Sequence, residues 1–314
     1  MRIVFAGTPD FAVPTLQALI NSDHEVVAVL SQPDRPAGRG QKLQASPVKR
    51  LAIDNNIPVL TPDNLRGSNG QEVINLLRDR IDVMVVVAYG LIVPDSSLSV
   101  PRLGCMNIHP SKLLLWRGAA PIQYSILSGD NNSAMTIIQM DKGMDTGDIL
   151  HQEDVLIASD ESASQLHDRM ALIGAACMLK TLDRANIGQL QPQPQDHSLA
   201  TYSNKITKPE ARIDWQCPAQ TIALRVRAFN AWPVAYTHLA DMRLRVWQAQ
   251  TIDQQTARQP GTVLAFSESG LDIATGDGVL RILQCQRPGG KVLAIEDFYH
   301  SAKSEWVVGE SILL

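Results

Sequence analysis

The sequence predicts an α/β protein of two domains, a doubly wound N-terminal domain followed by a small β-barrel. In roughly the first 140 residues, short apolar runs alternate with segments of helical periodicity, as in parallel strands joined by crossover helices. The run 81–90 is rich in β-branched residues, which indicates a strand buried on both faces. Beyond residue 208, short β-like runs separated by turn signals predict the barrel.

Length and composition restrict the class of protein. The chain has 314 residues and a net charge of −4, enough length for two cores and no overall sign of a nucleic-acid partner. Its four cysteines lie far apart without a CxxC pair, which argues against a zinc site or a disulfide framework. The apolar runs are too short for a membrane span or a signal peptide. We therefore expect a soluble, cytoplasmic protein.

The elements follow in order from local patterns. Arg2–Ala6 is a first strand ended by Gly7, and Thr8 is a candidate cap for the helix that follows, whose free N–H groups would favour an anion or polar ligand. Because GxGxxG is absent, a plain strand-to-helix turn is an equally good interpretation. Further strands are expected in VVAVL, PVL, IDVMVVVAYG, GCMNIHP, AMTIIQM and ILHQEDVLI, and helices in VKRLAIDNN, QEVINLLRDR, PIQYSILSGD and residues 162–186.

Composition also predicts the domain boundaries. A tract rich in Gln and Pro with few large apolar residues begins at Gly188, and we interpret 188–208 as a linker. The α/β domain is then 1–187 and the barrel domain 209–314.

A long segment rich in Pro, Gly and basic residues follows the second strand. From Asp34 to Arg50 it contains five Lys or Arg and one acid. Loops longer than about a dozen residues are uncommon in compact domains and are often functional. The residues alone fit two interpretations equally well: a solvated linker, or a mobile basic arm that neutralises phosphates.

Three polar residues in the middle of the chain are candidates for a reactive cluster. Asn107 and His109 are two apart, so their side chains share one face of a strand that Pro110 should end. Asp145 lies in a loop of Asp and Gly residues after the next buried run. We expect the three to meet at the carboxyl ends of neighbouring strands, where open α/β sheets bind ligands. Taken alone, however, an Asn-x-His pair is more often structural than catalytic.

The residue types favour one chemistry over others. No GxSxG elbow is present, which argues against a Ser-His-Asp hydrolase. His109 lacks metal-ligand spacing to His151 or His167 and HExxH is absent, so no metal site is predicted. Acyl transfer without a covalent intermediate remains. Asn107 would then donate to a developing oxyanion, His109 would donate or carry a proton, and Asp145 would orient the imidazole.

Longer motifs resemble the formyltransferases that use 10-formyltetrahydrofolate. These motifs are Asn-Ile-His-Pro-Ser, WRGAAPI and MDKGMDTGDIL. The resemblance extends over both domains and is strongest to the branch acting on methionyl-tRNA, through AGTPDFA, QPDRPAGRGQKL with SPVK, VVVAYGLIVP, KPEARIDW and VRAFNAWP. It implies a Rossmann-like catalytic domain and an OB-fold-like C-terminal domain.

The resemblance also implies an activity. The free α-amino group of initiator methionyl-tRNA would attack the formyl carbon of 10-formyltetrahydrofolate, giving N-formylmethionyl-tRNA for translation initiation. Such an amine has a pKa of about 7.7–8.0, so a useful fraction is neutral near pH 7. Asn107, His109 and Asp145 match the catalytic residues of the family. The family expectation is a monomer that uses no metal.

Binding residues follow from the same resemblance. It implies a folate site formed by Ser111, Lys112, Leu113, Leu114, Ala88, Tyr89, Gly90, Leu91, Ile92 and Asp141. It implies contacts with tRNA from the basic segment and from the start of the second domain, through Arg35, Arg39, Lys42, Lys49 and Lys208.

One short segment departs from the family pattern. After His-Pro-Ser the family usually has Leu-Leu-Pro and a basic residue, whereas this chain has Lys112 followed by three leucines. The turn therefore lacks the fixed φ of proline at 114 and the positive charge at 115. Two alternatives stay open. A formyltransferase for a purine precursor or an amino sugar would not be expected to carry both the basic segment and this C-terminal domain. A non-catalytic tRNA- or folate-binding protein is the other.

Overall fold

The structure, a computed structural model, describes all residues except 38, 39, 41, 79, 80 and 303–305. The chain forms two compact units. The first comprises Met1–Pro121, Asn132–Leu156 and His167–Ser203, and the second comprises Ile122–Asn131, Ile157–Leu166 and Asn204–Leu314.

Strands and helices alternate through the first 203 residues. The strands are β1 Arg2–Gly7, β2 Glu25–Leu30, β3 Arg35–Ala37, β4 Lys42–Gln44, β5 Val59–Leu60, β6 Val83–Val87, β7 Cys105–His109, β8 Arg117–Gly118, β9 Asn132–Gln139, β10 Ile149–Leu156 and β11 Tyr202–Ser203. The helices are α1 Val13–Ile20, α2 Pro47–Asp54, α3 Gly67–Arg78, α4 Asp95–Leu98, α5 Pro121–Leu127 and α6 Ala163–Asn186.

The main sheet of the first unit has seven strands in the order β10-β9-β7-β6-β1-β2-β5. From β5 to β7 all neighbours are parallel, whereas β9 runs antiparallel to β7 and β10 antiparallel to β9. Every residue of β6 is buried, as its continuous apolar run predicts. The Rossmann-like doubly wound sheet is thus confirmed, with an antiparallel edge that the apolar patterns did not indicate.

The chain after β1 differs from the prediction. Thr8 does not cap a helix, because Pro9 first leads into a 3₁₀ turn at Asp10–Ala12 and α1 begins at Val13. The Thr8 hydroxyl instead donates to the carbonyl of Tyr89 at 2.9 Å, which ties the carboxyl end of β1 to that of β6. In α2, by contrast, the residue before the helix does cap it, since the Ser46 hydroxyl accepts from the N–H of Lys49 at 3.0 Å.

The second unit is an antiparallel β domain, which confirms the predicted class. Its strands are β12 Ala235–Leu239, β13 Met242–Ile252, β14 Val263–Ser267, β15 Gly270–Ala274, β16 Val279–Gln286 and β17 Leu293–Ala294, and its helices are α7 Ala219–Ala228 and α8 Ile295–Ala302. The sheet order is β12-β13-β16-β15-β14, with β17 beside β16. Bridges from Leu313 to Leu239 and from Ile312 to Thr262 join the two ends of this sheet. A barrel-like closure results.

Among the helices of the described residues, none is both long enough and apolar enough to cross a membrane.

Candidate active site

The structure brings the three predicted catalytic residues together. Asn107 and His109 lie on β7, and the His109 side chain is 5% exposed. Nδ1 of His109 is 3.5 Å from Oδ2 of Asp145, whose side chain is 16% exposed. Asn107 and Asp145 line the same cavity. An amide, an imidazole and a carboxylate therefore meet beside one concave surface.

Asp145 reaches His109 by a route that differs from the prediction. Because β9 is antiparallel to β7, the carboxyl end of β9 lies beside the amino end of β7: Gln139 pairs with Met106. The loop of residues 140–148 must then fold back along β7 to bring Asp145 to His109. The predicted meeting at the carboxyl ends of two neighbouring strands was wrong in this respect, since it assumed parallel strands.

Backbone geometry holds the Asp145 carboxylate in place. Asp145 adopts a left-handed conformation with φ +56°, which Asp tolerates better than most residues. Its Oδ2 accepts a hydrogen bond of 2.9 Å from the N–H of Gly118 on β8. One carboxylate oxygen thus faces both a backbone donor and the imidazole.

Both ring nitrogens of His109 face acceptors. Nε2 lies 3.1 Å from the carbonyl oxygen of Trp116, which can only accept, so Nε2 carries the hydrogen. Nδ1 faces Asp145. Burial lowers the pKa of His109 because it removes water from the charged ring, while the Asp145 carboxylate and the Trp116 carbonyl raise it. The ring is therefore held neutral, with a counter-charge placed where a second proton would bind.

A cavity of about 390 Å³ opens beside this cluster, within the usual range for small-molecule sites. Side chains that follow β6 form one wall, and the loop after β9 forms another. The lining residues are Leu91, Ile92, Val93, Asn107, Ile138, Met140, Asp141, Lys142, Gly143, Met144 and Asp145. Three residues predicted for folate, Leu91, Ile92 and Asp141, are among them.

Hydrogen bonds within the loop that carries Asp141 stabilise its conformation. Oδ1 of Asp141 accepts from the N–H of Gly143 at 3.0 Å and from the hydroxyl of Thr146 at 2.6 Å. These bonds close an Asx-type turn next to the cavity. Asp141 thereby shapes the loop that positions Asp145.

The turn after β6 supplies the other predicted wall residues. Ala88 and Gly90 are exposed and have φ of +45° and +78°, so the backbone turns sharply here. Tyr89 is buried, and its carbonyl accepts from Thr8 at 2.9 Å and from Gln32 at 3.0 Å. These three residues shape the turn and do not belong to the cavity lining given above.

The segment that departs from the family pattern forms a tight turn. Ser111 is buried, and its hydroxyl donates to the carbonyl of Leu115 at 2.6 Å. Lys112 forms an ion pair of 2.9 Å with Asp154 on β10. Leu113 is buried and Leu114 half-buried. These predicted folate residues likewise do not line the 390 Å³ cavity.

The basic segment contains a pair of short strands. β3 and β4 pair antiparallel, with Arg35 opposite Gln44, and both Arg35 and Lys42 are exposed. Lys49 lies on α2, where its Nζ is 2.7 Å from the Asp34 carboxylate. Two further predictions concern Arg39, which lies outside the described residues, and Lys208, which is exposed in the second unit.

Sequence reasoning missed a buried polar group behind Asp145. The amide of Gln195, 8% exposed, donates to the carbonyl of Asp145, and the guanidinium of Arg117, 1% exposed, donates to the Gln195 oxygen. Arg117 could have been noticed within the WRGAAPI motif. Gln195 lies in a Gln- and Pro-rich tract whose composition gives no sign of burial.

Two family models match the chain. Residues 1–182 match the model described as "Formyl transferase", and residues 205–303 match "Formyl transferase, C-terminal domain". A protein named methionyl-tRNA formyltransferase from Coxiella burnetii is 47% identical over 312 residues, which covers 99% of each chain. One of the same name from Hydrogenovibrio crunogenus is 48% identical over 312 residues, 99% of this chain and 98% of its own.

The fold is shared with more distant structures. An N-formyltransferase from Helicobacter canadensis, solved with folinic acid and dTDP-3-aminofucose, has a TM-score of 0.68 at 17% identity, covering 91% of this chain and 99% of its own. At this identity the likeness concerns the fold alone. The two family models and the relatives matched over nearly their whole length show that this chain belongs to the formyl transferase family.

Proposed function

We propose that this protein transfers the formyl group of 10-formyltetrahydrofolate to the α-amino group of initiator methionyl-tRNA, giving N-formylmethionyl-tRNA for translation initiation. The observation that carries the chemistry is the buried His109–Asp145 pair, 3.5 Å apart, beside a cavity that Asn107 also lines. The relatives named methionyl-tRNA formyltransferase, alike in length and domain content, support the acceptor.

The proposed reaction has one nucleophilic step. The neutral amine attacks the formyl carbon, and the carbonyl electrons move to the oxygen. Asn107 donates a hydrogen bond to that oxyanion, a contribution worth about 10²–10³ in rate for a single donor in other enzymes. The C–N bond to the folate then breaks, while a proton passes from the attacking amine to the departing folate nitrogen.

His109 and Asp145 handle the proton in this scheme. The imidazole is neutral before reaction, since burial lowers its pKa. A proton taken from the amine would convert it to imidazolium, and Asp145, opposite Nδ1, would stabilise that charge. The fixed Asp145 carboxylate would thus stabilise the charge that the buried ring gains and then loses during the reaction. The scheme uses no metal ion.

We further propose that the folate occupies the cavity beside Asn107, between Leu91, Ile92 and the loop that begins at Asp141. Apolar side chains would cover the faces of the pterin, and backbone polar groups would meet its edges. The remaining predicted folate residues, Ala88–Gly90 and 111–114, would shape the adjacent turns.

Recognition of tRNA is proposed for the exposed cations. Arg35 and Lys42 on the hairpin, with Arg39 between them in sequence, would neutralise phosphates at the acceptor end, and Lys208, the last residue before the C-terminal domain, would add a further contact. Lys49 would contribute less to tRNA binding because its ammonium group already pairs with the Asp34 carboxylate. We propose a cytoplasmic monomer with a catalytic domain 1–187, a connecting segment 188–208 and a tRNA-binding domain 209–314.

Assays with alternative acceptors test the proposal. Purified protein and 10-formyltetrahydrofolate would be incubated with methionyl-tRNA, with an amino sugar nucleotide or with a primary-amine purine precursor. Formylation of methionyl-tRNA alone is the expected result. Turnover with a small amine in its place would reassign the acceptor. Absence of turnover with all of them, together with retained folate or tRNA binding, would indicate a binding protein.

A further inference from the structure

We infer that Gln195 is a positioning residue for formyl transfer: its buried amide fixes the backbone that carries Asp145, and Arg117 orients that amide. This inference rests on the proposed function. Gln195 does not contact the cavity and belongs to a tract that composition assigns to a linker, so nothing in the local sequence ties it to the reaction.

The Gln195 amide bridges the loop at two points. Its Nε2 donates to the carbonyl of Asp145 at 3.0 Å and to the carbonyl of Gly147 at 2.6 Å. Both hydrogens of the amide are therefore used on backbone acceptors. A Cβ on Gly147 would lie 1.7 Å from the carbonyl oxygen of Gln139, so the loop backbone packs directly against the end of β9 at that point.

Arg117 sets the orientation of the amide. Its Nη2 lies 2.6 Å from the Gln195 oxygen and 3.1 Å from Nδ1 of His197. Because a guanidinium has no acceptor, the Gln195 oxygen must face it, and the NH₂ group must face the loop. The guanidinium is buried, so loss of the Gln195 oxygen would leave part of a buried cation without its acceptor.

The network reaches both sides of the catalytic carboxylate. Arg117 and Gly118 are consecutive on β8, and the N–H of Gly118 donates to Asp145 Oδ2 at 2.9 Å. β8 itself pairs with β11, where Tyr202 lies opposite Arg117. Side chain and main chain of Asp145 are thus held from one short strand, directly and through Gln195. Since Asp145 sits in the sparsely populated left-handed region, these bonds maintain a conformation that the backbone alone does not favour.

The decisive variant separates the donor from the acceptor function of Gln195. Gln195→Glu keeps an oxygen for Arg117 and removes both donors to the loop, whereas Gln195→Met removes all three bonds. We expect Gln195→Glu to lower kcat about 100-fold with little change in KM for either substrate, because a shift of about 1 Å at a reacting group has such an effect. Gln193→Glu makes the same chemical change two residues away at an exposed position and should leave kcat unchanged.

A second readout does not depend on turnover. The Asp145 carboxylate raises the pKa of His109, so a displaced Asp145 should let that pKa fall further in Gln195→Met, which adds no charge beside Arg117. NMR titration of the His109 ring, assigned with a His109→Asn variant, measures this shift even if wild-type protein formylates none of the acceptors tested. Thermal melts give the folded fraction of each variant. A loss of turnover no greater than the loss of folded protein, or a His109 pKa equal to that of wild type, would overturn the inference.

Discussion

Nδ1 of His109 lies 3.5 Å from the Asp145 carboxylate, while Nε2 of the same ring meets the Trp116 carbonyl at 3.1 Å. A protonated ring could donate a hydrogen bond from each nitrogen, whereas the neutral ring has one N–H and can donate only to Trp116. Burial nevertheless keeps the ring neutral, because the loss of hydration is the largest influence on its pKa. When a proton arrives during the reaction, the acceptors that stabilise the charged ring are therefore already in place.

The lowered pKa of His109 predicts a pH dependence of stability. In the unfolded chain a histidine titrates near 6.5, and in the folded protein the pKa of His109 lies below that value. Between these two pKa values the unfolded state binds more protons, so the free energy of unfolding should fall as the pH drops below about 6.5. Urea unfolding at several pH values would show a shallower decline in a His109→Asn variant than in wild type.

Other histidines contribute in the same direction and need a control. Burial also lowers the pKa of His24 and of His151. A His151→Asn variant should therefore remove its own share of the decline and leave that of His109 in place. Equal pH profiles for wild type and His109→Asn would contradict the assignment of a neutral buried ring.

Replacement of Asn107 by alanine should slow the chemical step. We expect kcat to fall by about 10²–10³ with little change in KM, because the lost donor would act on charge that develops in the transition state. Asn107→Asp, nearly equal in shape, should be at least as impaired because its carboxylate can only accept. Steady-state formylation of methionyl-tRNA measures both. An increase in KM at constant kcat would instead mark Asn107 as a residue for substrate binding.

The segment Lys112–Leu115, which departs from the family pattern, can be changed back to that pattern. Among the hydrogen bonds of the described residues, none uses the N–H of Leu114, so proline at 114 should be tolerated without loss of a bond. Leu115 is 39% exposed, so an arginine there could extend into solvent. We expect Leu114→Pro with Leu115→Arg to raise kcat or the affinity for 10-formyltetrahydrofolate, measured by kinetics and calorimetry.

The matched control for this repair is Leu114→Pro with Leu115→Gln, which supplies length and polarity without charge. If the charge matters, the arginine variant alone gains. Kinetics that match wild type in both variants would show that the ion pair of Lys112 with Asp154 and the natural turn already suffice.

Lys42 and Lys49 should differ in their effect on tRNA use. Lys42 is exposed on β4, whereas the Nζ of Lys49 is 2.7 Å from the Asp34 carboxylate. Lys42→Ala should raise KM for methionyl-tRNA and reduce the slope of log affinity against log salt by about 1, as expected for one lost phosphate contact. Lys49→Ala should change that slope less. An identical loss in both variants would mean that binding breaks the Lys49–Asp34 pair.

Much of the fold follows from local patterns. The buried run of β6 and the Asn-x-His pair on β7 each depend on periodicity within a few residues. Such signals survive in a single sequence. The cluster of Asn107 and His109 was therefore predictable as a shared face of one strand.

The rest depended on contacts between residues far apart in sequence. Nothing local indicates that β9 runs antiparallel to β7, and this direction decides from which side Asp145 approaches. The burial of Gln195 is likewise set by Arg117, 78 residues earlier. The basic segment was predicted as a loop or arm, yet β3 and β4 pair within it. This pairing was missed because two strands of three residues leave little trace in composition.

The pairing of β8 with β11 bears on how family members can be recombined. The N–H of Trp116 donates to the Thr201 hydroxyl, the N–H of Arg117 donates to the Thr201 carbonyl, and the Ser203 carbonyl accepts from the N–H of Ala119. In a chimera joined at residue 187, β8 would come from one parent and its partner strand β11 from the other. A crossover just after Ser203 keeps both from the same parent. Libraries of exchanged C-terminal domains should therefore yield more active hybrids from the later junction.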